Sequence, residues 1–286
     1  TGFAAKNVIV NTTLLGGGFG RRLNSDYASI ATRISKTFKV PVLFMFSRQD
    51  DMRNDAYRPA SYHVCKGGLD ANGKVTGWVH RTVKGGQNNP PYSIPSPDSG
   101  SSSQSINFPV NTGAWRSVGN TSSVFVNECF IDELAVAAGK DPFEFRRDLL
   151  PQGQLRSVLE KAAELAEWSK PLPKGRGRGI ACVHTDYSPM AHVVEVSVSD
   201  AGILKVERIV AVVDCGIAIN PMGVEAQIQG AAVDALSTAL KSEITIENGG
   251  VKQSTFRDFE WLRMNEMPKI EVHIMPSTGS PNGMGE

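Results

Sequence analysis

Apolar and polar positions change period several times along the chain, and each change marks an expected element. "KNVIVNTTLL" alternates and is rich in β-branched residues, the pattern of a strand. It feeds "GGGFGRR" and then "NSDYASIATRISKTF", whose apolar residues recur at helical spacing behind an Asn/Ser cap candidate. "VPVLFMFS" is a short continuous apolar run between polar residues and predicts a buried strand. "YHVCKGGLDANGKVTGWVHRTVKGG" predicts a hairpin turning at Ala71-Asn72-Gly73. "NNPPYSIPSPDSGSSSQSINFP" is rich in Pro and Ser and predicts a long irregular loop. "VFVNECFIDELAVAAGKDPFEFRRDLL" predicts a helix closed by Gly139 and a second opening at Asp141-Pro142, and "LRSVLEKAAELAEW" a further amphipathic helix.

Composition shifts abruptly at "SKPLPKGRGRG", which sets an expected division into residues 1–168, a linker over 169–180, and residues 181–286. Beyond it come strands "HVVEVSVSD" and "LKVERIVAVVDCG" about a turn at Asp200-Ala201-Gly202, a small-residue-rich helix "GVEAQIQGAAVDALSTAL", and a last strand "IEVHIMP". Strands and helices mix without strict βαβ alternation, so the expected class is α+β with mixed sheets, not a doubly wound sheet.

Composition removes several function classes. A net charge of +1 gives no electrostatic reason to expect nucleic acid or an anionic membrane as partner. No apolar run approaches the ~20 residues of a membrane span. The four cysteines are scattered without C-x-x-C spacing, so they read as ordinary, mostly buried thiols and not as zinc or iron–sulfur ligands. The five histidines are equally dispersed, so any metal must arrive with a cofactor that brings its own ligands.

The strongest local signal is "LLGGGFGRR". A glycine-rich strand-to-helix turn exposes consecutive backbone N–H groups and suits an anion or polar cofactor. It is neither a dinucleotide fingerprint, since Arg21 stands where the third Gly belongs, nor a phosphate loop of the Gly-Lys-Ser/Thr kind. The alternative is a tight turn without ligand. In "NTGAWRSVGN", Arg116 suits a phosphate or oxo group, although a lone loop Arg is by default a surface residue. "VVDCGIAINP" reads first as scaffold, with Asp214 capping a turn. "SRQDDMRNDAYRPASYH" reads as a solvated ion-pair stretch, and the closing "GMGE" in isolation as a frayed tail.

Taken in this order, "GGGFG", "AWRSVGN…FVNECFIDELA", "VVDCGIAINP…EAQIQGA" and "GMGE" resemble the cofactor-site segments of the large subunit of the xanthine oxidase and aldehyde oxidase family of molybdenum hydroxylases. "GGGFGRR", "SRQDDMRNDAYRPAS", "GRGRGIA" and "FEWLRMNEMPKIEVHIMPS" are similar to its isoquinoline 1-oxidoreductase β-subunit branch, which includes membrane-associated bacterial aldehyde dehydrogenases. The resemblance implies mixed-sheet molybdenum-cofactor-binding subdomains, and it makes this chain a C-terminal fragment or one piece of a split subunit.

Carried over position by position, the resemblance makes Glu286 the base that activates a molybdenum-bound oxygen for attack on an aldehyde or N-heterocycle, with hydride passing to Mo=S. It sets Gly17, Gly18, Phe19 and Gly20, and Ala114, Trp115 and Arg116, beside the cofactor, with Phe19 and Val118 towards the substrate channel. Leu23 replaces the acid, and Val118 the stacking Phe, of the purine-oxidising members, which argues against purines. The implied cofactor is molybdopterin in its cytosine dinucleotide form. The implied partners are a separate [2Fe-2S] subunit and the remainder of the large subunit, and the complete protein would be bacterial and periplasmic or membrane-associated. The fragment by itself is expected to be inert, and to self-associate through exposed apolar surface. The rival is a non-catalytic phosphate- or nucleotide-binding module built on the glycine turn.

Overall fold

Side-chain caps open α-helices at Ser47, Asp141 and Asn220, and strands form where the alternating face finds a hydrogen-bonding neighbour. The computed structural model describes residues 2–84, 89–102, 108–184 and 188–285. Along the chain run α1 (Asp26–Phe38), α2 (Arg48–Asn54), β1 (Tyr62–Leu69), β2 (Val75–Val83), β3 (Pro97–Ser102), α3 (Asn120–Ala137), α4 (Pro142–Leu149) and α5 (Gln154–Leu165). There follow β4 (Arg176–Val183), β5 (Met190–Val198), β6 (Leu204–Val213), α6 (Pro221–Leu240), β7 (Ile246–Glu247), β8 (Gly250–Val251) and β9 (Lys269–Ile274). The chain is α+β with mixed sheets. No helix among the described residues is long and apolar enough to cross a membrane.

Two compact units share the chain, each assembled from separated segments. The first combines Thr1–Ala60, Ile106–Val118 and Glu243–Glu260, and the second combines the rest. The composition change over 169–180 falls inside the second unit, where Arg176 already opens β4.

In the first unit α1 forms as the sequence predicts, whereas the charged stretch read as a solvated ion-pair run folds in part into α2, capped by Ser47, whose Oγ accepts from the Asp50 N–H at 3.2 Å. Two expected strands do not form. "KNVIVNTTLL" and "VPVLFMFS" belong to no sheet among the described residues, and Ile9, Leu14, Leu43 and Met45 are largely exposed. Alternation supplies a face, but a strand also needs a partner backbone. The β7–β8 hairpin closes through Asn248 (φ 52°) and Gly249 (φ 79°), both left-handed, as a two-residue Asn-Gly turn requires.

In the second unit β1–β2 is the expected antiparallel hairpin, its turn held by Asp70 Oδ1 accepting from the Asn72 and Lys74 N–H groups at 2.8 and 2.9 Å. The Pro/Ser-rich stretch is not wholly irregular: Pro97–Ser102 is β3, parallel to β2. Pro at the first residue and small residues at an edge suit this position. Helix α3 covers one face, the Trp78 and Phe130 rings meeting edge-on at 4.9 Å between centroids. The other sheet runs β4–β5–β6–β9, antiparallel except for the parallel β6–β9 pair. Val210 and Val212 of β6 pack with α5, while Ile209, Ala211 and Val213 pack with α6, so burial on both faces explains the unbroken apolar run.

His192 of β5 lies beside Met190, its Nε2 3.1 Å from the thioether sulfur, and burial pushes its pKa down to about 4. The folded state then binds fewer protons than the unfolded one. Stability should therefore be complete above the unfolded pKa of 6.5 and fall as pH drops towards 4, by at most about 1.4 kcal/mol per unit from this group. His192→Gln should flatten that part of a melting-temperature profile; an unchanged slope would contradict it.

Candidate functional site

The glycine turn of the first unit is shaped by backbone that side chains rarely adopt. Gly17 has φ 138° and Gly20 φ 86°, and Phe19 is left-handed at φ 48° with its ring largely exposed. Arg21 N–H donates to the Gly18 carbonyl at 2.9 Å and closes the turn. Among the described residues, the N–H groups from Gly16 to Gly20 donate to no protein acceptor, and a Cβ on Gly16 would meet nothing within 4 Å. A run of free amides with open space before it is a donor set for oxyanions or a polar cofactor. Arg21 itself is committed: its guanidinium pairs with Asp26 at 2.8 and 3.0 Å and with Asp55, and these carboxylates raise its pKa.

The same turn touches the loop that carries Arg116. A Cβ on Gly20 would lie 2.6 Å from the Ala114 carbonyl oxygen, so only glycine allows this approach. Gly20→Ala should therefore displace one loop against the other and cost the first unit about 1–3 kcal/mol. A melting temperature equal to the parent's would refute the contact. Arg116 is buried, 8% exposed, contrary to the default for a lone loop Arg. Val118 N–H donates to the Trp115 carbonyl at 2.8 Å, while Ser117 (φ 69°) and Val118 (φ 43°) are both left-handed. A β-branched residue there is strained. Val118, like Phe19, leaves its side chain exposed.

The charged stretch "SRQDDMRNDAYRP" is a clamp rather than a solvated face. Arg58 donates to the Arg116 carbonyl at 2.9 Å and the Val118 carbonyl at 3.3 Å, and stacks over Trp115 at 4.4 Å. Tyr57 accepts from Gly113 N–H and donates its own to the Asn111 carbonyl, both at 2.9 Å. Asp55 on one side and Arg58 on the other thus hold the glycine turn and the Ala114-Trp115-Arg116 loop. Sequence reading passed over both, although alternating acid and Arg beside a Pro is a usable signal for such bracing.

In the second unit the terminal segment is tied down. Ile217 N–H donates to the Gly279 carbonyl at 3.0 Å, Asn282 N–H to the Cys215 carbonyl at 2.9 Å, and Ser188 Oγ to the Gly283 carbonyl at 3.1 Å. Met284 packs against the apolar cluster that includes Val213, Cys215 and Ile228. Gly216 (φ 68°) admits the segment, since a Cβ there would lie 2.0 Å from the Ser280 carbonyl oxygen. Asp214 caps the turn as expected, accepting from Gly216 N–H at 3.1 Å and from Gln154 Nε2 at 2.9 Å. "SPNGMG" is thus anchored and not frayed; Glu286 lies outside the described residues. Of the thiols, Cys182 and Cys215 are buried, Cys65 is half-buried and Cys129 is exposed, all unpaired. Among the described residues no cluster of three or more His, Cys, Asp or Glu side chains is fit to hold a metal ion.

Residues 1–87 and 156–268 each match a family model described as a molybdopterin cofactor-binding domain. The chain is 30% identical over 327 residues to the membrane-bound aldehyde dehydrogenase [pyrroloquinoline-quinone] of Gluconacetobacter polyoxogenes, covering 98% of this chain and 42% of that protein. It is 28% identical over 322 residues to the isoquinoline 1-oxidoreductase subunit beta of Brevundimonas diminuta, covering 100% of this chain and 40% of that one. The chain thus spans about two fifths of the length of these relatives. The fold superposes on quinoline 2-oxidoreductase from Pseudomonas putida 86 with a TM-score of 0.78 at 14% identity, covering 95% of this chain and 63% of that one.

Proposed function

The chain carries two molybdopterin cofactor-binding domains and belongs to the xanthine oxidase family of molybdenum hydroxylases, and from this premise we propose that it is part of the catalytic subunit of an oxidoreductase acting on an aldehyde or an N-heterocycle. The observation that carries the reading is the apposition of Gly20 to the Ala114–Trp115 peptide beside unpartnered turn amides. That donor set fits a polar, oxygen-rich cofactor. When bound, molybdopterin supplies the redox centre for oxidising an electron-poor carbon.

This chain's own residues bind and orient. The Gly16–Gly20 amides and the Arg116 loop hold polar cofactor groups, Phe19 and Val118 line the approach of the substrate, and Glu286 takes a proton at its carboxylate. Leu23 and Val118, in place of an acid and an aromatic ring, favour substrates smaller and less polar than purines. The cytosine dinucleotide form of the cofactor, an iron–sulfur partner subunit and a periplasmic or membrane-associated setting complete the proposal. The complete protein is the active species, and residues 1–286 alone are inert.

One relative's name cites pyrroloquinoline quinone, whereas the domain matches favour molybdopterin. The test is cofactor analysis of the complete protein and of residues 1–286 alone, covering molybdenum, oxidised pterin and quinone. Near-stoichiometric molybdenum and pterin in the complete protein alone support the reading. Quinone without molybdenum, or tight nucleotide binding by residues 1–286 with neither, would replace it.

A further inference from the structure

Four buried side-chain atoms without a hydrogen-bond partner lie on one face of the β1–β2–β3 sheet: Trp78 Nε1, His80 Nδ1, Thr82 Oγ1 and Ser99 Oγ. Trp78, His80 and Thr82 alternate along β2 and so point to the same side, and Ser99 is the register partner of His80 on β3. This is the face that α3 covers: Phe130 meets the Trp78 ring, and a Cβ on Gly67, the β1 partner of Trp78, would lie 2.7 Å from Leu134. Trp78, His80 and Thr82 are each at most 2% exposed.

Orphaned buried polar groups are rare in folded proteins and each costs an appreciable part of net stability. Four on one strip of one interlayer face call for a common partner. Among the described residues no protein group supplies it, and the chemistry is mixed: an obligate donor at the indole, two hydroxyls that donate or accept, and an imidazole nitrogen that does either. Water satisfies all of these at once. One water with hydrogen bonds of about 2.8 Å spans the ~4.8 Å between neighbouring strands, and a pair spans the ~6.6 Å between alternate residues of β2.

We propose that the layer between this sheet and α3 is an internal hydration site, in which ordered water bridges His80, Thr82 and Ser99 and accepts from the Trp78 indole. A cleft of about 290 Å³ beside β1 is lined by His63, Cys65 and Phe130, and His63 is only half-buried. His63 also links the site to the surface, its Nδ1 2.8 Å from His80 Nε2 and its Nε2 2.9 Å from Ser61 Oγ. The water therefore sets a whole row of tautomers. Where it donates to His80 Nδ1, His80 Nε2–H donates to His63 Nδ1 and His63 Nε2–H donates to Ser61. Where it accepts from His80, every donor in the row reverses. Burial holds both rings below the ordinary imidazole pKa, so the row is neutral near pH 7.

Thr82→Val tests this by its sign, because the swap nearly keeps the shape and exchanges the hydroxyl for a methyl group. In a hydrated site the variant loses a hydrogen bond, and the melting temperature of the 286-residue chain should drop by about 2–4 °C, with Ser99→Ala behaving alike. In a dry layer an unsatisfied hydroxyl is removed, and the melting temperature should rise or hold. Independently of any variant, the Trp78 indole proton of the parent chain should show a cross-peak to long-lived water in nuclear magnetic resonance. A raised or unchanged melting temperature, or an indole proton with no water contact, overturns the proposal.

Discussion

Replacing Arg146 by Met should cost the second unit about 3–5 kcal/mol, the largest stability loss expected from any single change in it. Arg146 is fully buried and ties its own helix α4 to α3. Its Nε donates to Glu128 Oε2 at 3.0 Å, its Nη2 to the Glu128 carbonyl at 2.9 Å, and its Nη1 to Asp132 at 2.5 Å and the Pro142 carbonyl at 3.2 Å. Glu128 is in turn saturated: Tyr92 OH donates to Oε1 at 2.8 Å and Cys182 N–H to Oε2 at 3.0 Å. The pair thus pins α3 to α4, to β4 and to the Tyr92 loop.

Taking two charges out of water is costly, so this network is not evidence of net stabilisation over an apolar core. Breaking it is another matter. Burial pushes the Glu128 pKa up and Arg146 opposes that; without the guanidinium, the carboxyl must either stay charged in an apolar layer or take up a proton. The neighbouring thiol of Cys182 is already pushed up to about 12, mainly by burial. Urea unfolding of Arg146→Met should show the loss, and the double variant Glu128→Gln with Arg146→Met should recover part of it. A cost below about 1 kcal/mol for the single change would mean the charge is solvated, against its burial.

What the sequence revealed divides along physical lines. Local signals were legible: Asp141 caps α4 through the Phe143 and Glu144 N–H groups, Gly139 (φ 63°) ends α3, and the β1–β2 turn sits where Asn72-Gly73 places it. The family was legible from the joint order of short segments, because the approach of Gly20 to Ala114, and of Gly216 to Ser280, permits no side chain. Distant partners were not legible. The apolar faces of residues 8–15 and 40–46 predicted sheet pairing that the described residues do not supply. Glu128 looked like one more acid in "NECFIDELA", since its meaning depends on Arg146 and Cys182. The "DDMRNDAYRP" stretch likewise gains its meaning from a loop some 60 residues away, reached by Arg58 at Val118. The two compact units are each assembled from separated segments, an interleaving along the sequence that composition does not signal.

In the complete protein, the proposed role of Glu286 predicts that Glu286→Gln lowers kcat by about 10²–10⁴-fold with molybdenum and pterin content unchanged. Gln keeps the shape and accepts a hydrogen bond, but does not take up the proton. The case for this position rests on how the chain reaches it. From Gly279 to Gly283 the segment is bonded to Ile217, Cys215 and Ser188, and Met284 packs against the apolar cluster between β6 and α6. That anchoring holds the stretch before Glu286 in one place, as a working acid or base needs. Gly216→Ala provides the contrast, because its Cβ would collide with the Ser280 carbonyl and push the whole segment away. It should lower activity together with thermal stability, whereas Glu286→Gln should spare stability. Full activity in Glu286→Gln would remove this residue from the chemistry while leaving the family assignment intact, and loss of molybdenum in that variant would make it a cofactor-holding residue instead of a base.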